Sequence, residues 1–224
     1  MSSILPVDPK PPEIVDARLR FLRRLPFTTA MLAGLVSMGI LYRSFVDPTS
    51  RAIRHTFGSS VQTMLEGDVF RLFSSLFLTS GRWHFWVSVL MLAICVGWAE
   101  WSHGTLRTIF AFLAAHIITL LAISVGLVLL TGSGQFAFAE ILIDARDVGP
   151  SAGYYGCLGL ATGSLKSGWR WVLLAMILFS LLARMIYSAG GITDHPHLVI
   201  GDVAHMIAYP VGLLLAKIGK NRSR

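Results

Sequence analysis

Apolar residues gather along this chain in six blocks separated by polar or charged connections, and the length of each block decides what it can become. Blocks at 26–42, 84–101, 108–130, 171–187 and 198–218 are near the length of a bilayer-crossing helix and carry few charges. The block at 150–165 is shorter. As a helix it covers roughly 24 Å, less than the ~30 Å hydrocarbon core, so one of its ends lies below a membrane face. The connection 43–82 is too polar to cross. Its last part, 69–78, repeats Phe70, Phe73 and Phe77 at helical spacing and predicts a helix lying in or on the membrane interface.

Composition agrees with this pattern. The 224 residues are 54% hydrophobic and 14% charged, and the mean hydropathy is +0.65, which excludes an ordinary soluble domain. The fold class expected is all-α, a polytopic membrane protein with six transmembrane helices. The chain divides into a basic tail (1–24), one membrane domain (25–218, with 43–82 as a long outer loop) and a short basic tail (219–224). The first tail has prolines and arginines but no apolar core or small-residue cleavage site, so it does not read as a signal peptide.

Nineteen Lys and Arg stand against twelve Asp and Glu. In so apolar a chain this excess is assigned to orientation in the bilayer, not to nucleic acid. With six spans, twelve basic residues share the side of the termini and six lie opposite, so both termini are expected in the cytoplasm. Cys95 and Cys157 fall inside apolar blocks and read as small buried hydrophobes. They show no metal-ligand spacing.

Candidate chemistry follows from the topology. Ser151 opens the short fourth helix, His84 opens the second span, and His205 lies about two turns into the sixth, so all three fall in the outer half of the bilayer. A hydroxyl at a recessed helix N-terminus meets unpaired amides and the positive end of the helix dipole. The alternative for Ser151 is a cap beside Pro150. Gly201, His205, Ala208 and Gly212 form a small-residue face on the sixth helix, matched by Ala152, Gly156, Gly159 and Gly163 on the fourth. Such faces let membrane helices approach closely. Ser151 as nucleophile and His205 as general base form a plausible dyad, with Tyr155 one turn on and able to stack on the imidazole. The alternative is plain helix packing around an interior histidine.

Other polar residues are read more modestly. Asp202, one turn before His205, is taken as a cap for the sixth helix, with orientation of His205 as the alternative. Asp194, His195 and His197 read as a solvated loop rather than a metal site. His116 reads as a satisfied interior histidine.

Over 71–212 these residues resemble the rhomboid family of intramembrane serine proteases. Gly149-Pro150-Ser151-Ala152 stands where that family has Gly-x-Ser-Gly at the start of a short fourth helix. Tyr155 and Gly159 follow at the family's spacing. His205, followed by Ala208 and Gly212, stands at the sixth-helix base. His84 stands at the oxyanion-side histidine, and Arg71, Gly97, Glu100 and Gly104 keep family spacing from it. The resemblance implies a Ser151–His205 dyad that cleaves transmembrane segments near the outer surface. His84, Ser88 and Gly149 would lie around the oxyanion, and the setting would be a bacterial inner membrane. It also implies a transmembrane protein as substrate or client, and no cofactor.

The chain departs from the family at four places, the mildest being Ala152 where the motif ends in glycine. Thr79 replaces a frequent histidine, Ser88 replaces an asparagine that helps hold the oxyanion, and Pro150 has no N–H to donate. A proline before the serine position also resembles inactive rhomboid pseudoproteases, which bind membrane clients without cutting them.

Overall fold

The computed structural model describes residues 24–134, 137–143, 145–191 and 194–221. Helix α1 is Pro26–Leu41. Three short helices follow, α2 (Arg51–Phe57), α3 (Val61–Leu65) and α4 (Phe70–Ser74), the last continuing into a 3-10 turn over Ser75–Phe77. Helix α5 runs over Trp83–His103 and contains a π-helical stretch at Leu92–Val96. Then come α6 (Thr105–Gly132), α7 (Ala137–Ile143), α8 (Ser151–Gly163), α9 (Ser167–Ala189) and α10 (Pro196–Asn221). No named strand occurs among the described residues.

All six apolar blocks are helical. Trp83–His103, Thr105–Gly132, Gly168–Ala189 and Pro196–Ile218 are long and apolar enough to cross a membrane. The remaining two are shorter, at 16 residues for α1 and 13 for α8. The helix expected over 69–78 is present as α4 and its 3-10 turn. Phe70 and Phe73 face outward, whereas Leu76 and Leu78 are buried.

Helix α8 is central, with ten of its thirteen residues buried. It lies between α6 and α10, and its close approach to α10 explains the glycines. A Cβ at Gly159 would collide with the Tyr209 carbonyl, and one at Gly212 with the Gly156 carbonyl. The two helices run parallel, Gly156 meeting Gly212 and Gly163 meeting Ala216, so the start of α8 lies beside the upper turns of α10. Around them pack Leu35, Leu92, Val96 and Phe112, all fully buried. The outward faces carry large apolar side chains. On α9, Val172, Met176, Phe179 and Ile186 form one exposed stripe suited to lipid.

One end of the bundle gathers the short connections and basic residues. The Arg24 guanidinium lies 5.3 Å from the centre of the Trp101 ring, and Arg170 lies 5.3 Å from that of Trp171. Such pairs suit a membrane interface. At the same end Glu100 supplies the cap that α1 lacks locally. Its carboxylate accepts from the Phe27 N–H at 3.0 Å, the Thr28 N–H at 2.8 Å and the Thr28 hydroxyl at 2.7 Å. At the other end lies the loop 43–82. Ser59 and Asp147 exchange both amide hydrogen bonds, at 3.0 and 2.8 Å, and the Gly149 N–H donates to the Ser75 carbonyl at 2.9 Å. His116, deep in α6, pairs its Nε2 with the Leu72 carbonyl at 2.9 Å and holds α4 to the bundle.

Candidate active site

The segment carrying Ser151 is shaped by Gly149, whose φ of +137° lies in the left-handed region that favours glycine. Pro150 follows as the N-cap of α8 and offers no capping side chain. Its carbonyl accepts the Tyr154 N–H at 3.0 Å. The first-turn amides of α8 therefore have no side-chain cap, unlike those of α1.

A cavity of about 80 Å³ opens at this point, lined by Ser151, His205, His84, Ser88, Gly149 and Thr79 among others. These residues come from α5, α8, α10 and the two segments that lead into α5 and α8. Ser88 and Thr79 are buried, and His84 is exposed. Thr79 is occupied locally, its hydroxyl accepting the Gly81 N–H at 3.2 Å while its carbonyl accepts from the Thr49 hydroxyl at 2.6 Å. His205 lies nine residues inside α10, roughly 13 Å below the start of that helix.

The His205 ring is buried and stacks on Tyr155, with centroids 4.2 Å apart and planes 28° apart. Neither of its nitrogens has a hydrogen-bond partner, so Ser151 and His205 share the cavity without a hydrogen bond between them. Nδ1 lies 3.5 Å from Asp202 Oδ1, too long for a good N–H···O bond but close enough for electrostatic orientation. The i, i+3 spacing puts both side chains on one helix face.

Asp202 is not a helix cap. Helix α10 begins at Pro196, a start favoured by proline in the first turn, so Asp202 sits inside the helix with its side chain buried. Its Oδ1 accepts from Arg184 of α9 through Nε at 2.8 Å and pairs with Nη2 at 2.7 Å. Arg184 also lines the cavity. Sequence reasoning did not place Arg184 in the site, although a lone arginine in an apolar block is itself a signal that a buried partner exists.

Asp147, four residues before Ser151, is a second lining residue that was not singled out as part of the site. Burial pushes its carboxyl up to about 6, the charge of Asp202 adds to the rise, and a bond from the Val148 backbone opposes it. Asp144, three residues before it, lies outside the described residues. Gly159, Ala208 and Gly212 are all buried at the α8–α10 contact, below the cavity.

The arrangement offers a hydroxyl at an uncapped helix N-terminus, an imidazole with open nitrogens, and a carboxylate beside that imidazole. Such a set can support acyl transfer. A family model described as "rhomboid-like protein" matches residues 20–218. No curated protein and no solved structure matches the chain.

Proposed function

The chain belongs to the rhomboid-like protein family, and on that footing we propose that it is an intramembrane serine endopeptidase with six spans and both termini in the cytoplasm. Ser151 Oγ attacks the scissile carbonyl of a client's transmembrane segment while His205 takes its proton. His205 returns that proton to the leaving amine as the C–N bond breaks, and water then hydrolyses the acyl-serine. His84 and the open amides of α8 hold the oxyanion. Asp202 orients the imidazole, and Tyr155 braces its face.

The observation that carries this reading is the convergence of Ser151, His84 and His205 on one cavity below the loop-side end of α10. A second reading has its own support. With no Ser151–His205 hydrogen bond, no N–H at Pro150 and the shorter Ser88 at the oxyanion side, the fold could bind transmembrane clients without cutting them.

Labelling of the purified protein by a fluorophosphonate probe separates the two. The protease reading expects labelling in the parent and its loss in Ser151→Ala and His205→Ala. Labelling that appears only in Pro150→Gly would mean that the proline silences an otherwise competent site. Folded protein that labels in no form would leave client binding as the function.

A further inference from the structure

Beside the candidate active site lies a larger cavity of about 360 Å³, walled by α2, the segment before α8 and the first turn of α10. Arg51 and Arg54 come from α2, His197 from the first turn of α10 and His195 from just before it, with Arg146 and Asp194 completing the wall. Arg51 and Arg54 form no ion pair among the described residues. Arg51 and Arg54 thus bring two guanidiniums to a cavity whose described lining includes the single carboxylate of Asp194, an arrangement that favours an anion. His197 lines this cavity and the active-site cavity alike.

Below it runs an apolar groove of about 420 Å³ between α6 and α10, lined by Gly126, Leu127, Leu142, Met185, Val203 and Ile207. The two cavities share a helix face. Pro196 borders the cationic one, while Ile200, Val203 and Ile207 border the groove at i+4, i+7 and i+11 from it. Leu142 lines the groove, and Ala145 and Arg146, a few residues on, line the cationic cavity. A cationic chamber and an apolar groove set along one helix face are complementary to an amphiphile and not to a free anion.

We propose that this surface is a binding site for one anionic phospholipid, with its headgroup phosphate at Arg51 and Arg54 and an acyl chain in the groove. The proposal goes beyond proteolysis and does not depend on it. A lipid held there would border the active-site cavity through His197, fixing the serine's depth relative to the phosphate layer.

The test uses the purified full chain in neutral detergent. Thermal unfolding is followed against added dioleoylphosphatidylglycerol, dioleoylphosphatidylcholine or inorganic phosphate. Phosphatidylglycerol should raise the midpoint well beyond phosphatidylcholine. In Arg51→Gln/Arg54→Gln, roughly tenfold or more lipid should be needed for the same shift. A Cβ at Gly126 meets nothing within 4 Å, so Gly126→Phe can fill the groove. It should weaken the lipid response while leaving the lipid-free midpoint near the parent's. Arg43→Gln, outside the cavity, should respond like the parent. Equal shifts from both lipids would overturn the proposal, as would an equal shift from inorganic phosphate. So would loss of the response in Arg43→Gln, or a full response in Gly126→Phe.

Discussion

Glu100→Gln tests how much one long-range contact contributes to the frame around the site. The carboxylate is 2% exposed and accepts three hydrogen bonds from the first turn of α1. Glutamine keeps the shape but retains only one accepting oxygen. Turned to face Thr28, it forfeits the Phe27 bond and the charge assistance of the other two. Turned to face Phe27, it sets its NH₂ against the Thr28 donors. Hydrogen bonds to a charged partner contribute about 1.5–3 kcal/mol each, so the better orientation loses about 2–4 kcal/mol. That is a large share of the ~5–15 kcal/mol typical of a domain. Unfolding in a detergent titration reads this directly, because a denatured state that keeps its helices loses mainly the contacts between them. A cycle with Thr28→Val should show coupling of at least about 0.5 kcal/mol. A Glu100→Gln variant within about 0.5 kcal/mol of the parent would show that α1 does not depend on this cap.

Asp202→Asn should slow fluorophosphonate labelling of Ser151 by roughly 10–100-fold, less than the ~10⁴ of a fully hydrogen-bonded triad because Nδ1 stands 3.5 Å away. Arg184→Gln breaks the same ion pair but keeps the carboxylate, so equal slowing there would assign Asp202 a structural role only. Asp147 keeps its proton to about pH 6 when folded, against 3.8 for the ordinary group. Between those values the folded state binds more protons than the unfolded, so this group's contribution falls as pH rises. Asp147→Asn should therefore match the parent near pH 4 and exceed it above pH 6 by up to about 3 kcal/mol; an equal gain at both pH values would contradict the sign. Gly159→Ala and Gly212→Ala should each destabilise by more than about 2 kcal/mol through backbone collision. Gly126→Ala should be neutral or stabilising by up to about 1 kcal/mol, and unfolding midpoints of the three compare them.

The apolar blocks made the helices legible because helix length and hydropathy are local properties. The short block at 150–165 became α8 within two residues at either end. Small residues on two blocks showed which faces could meet, since close approach needs missing side-chain volume. The missed features depend on partners distant in the chain. Glu100 caps a helix that begins 74 residues earlier, and nothing near either residue encodes that pairing. Asp202 was misread as a cap because its buried partner, Arg184, lies on another helix, whereas Pro196 sets the start of α10 and the helix runs through Gly201. The π-helical stretch in α5 and helix α7 carry no periodic signal strong enough to announce them.

The bonds tying the loop to the segment ahead of Ser151 also make a clock. Ser59 and Asp147 trade amide hydrogen bonds, and the Gly149 amide reaches the Ser75 carbonyl, so these three protons are released to solvent only when the loop and the serine's mount part company. Their deuterium uptake should form one cooperative group, slower than the exposed turns of the loop and faster than the interior of α8. Its rate would count how often the ground beneath the nucleophile gives way.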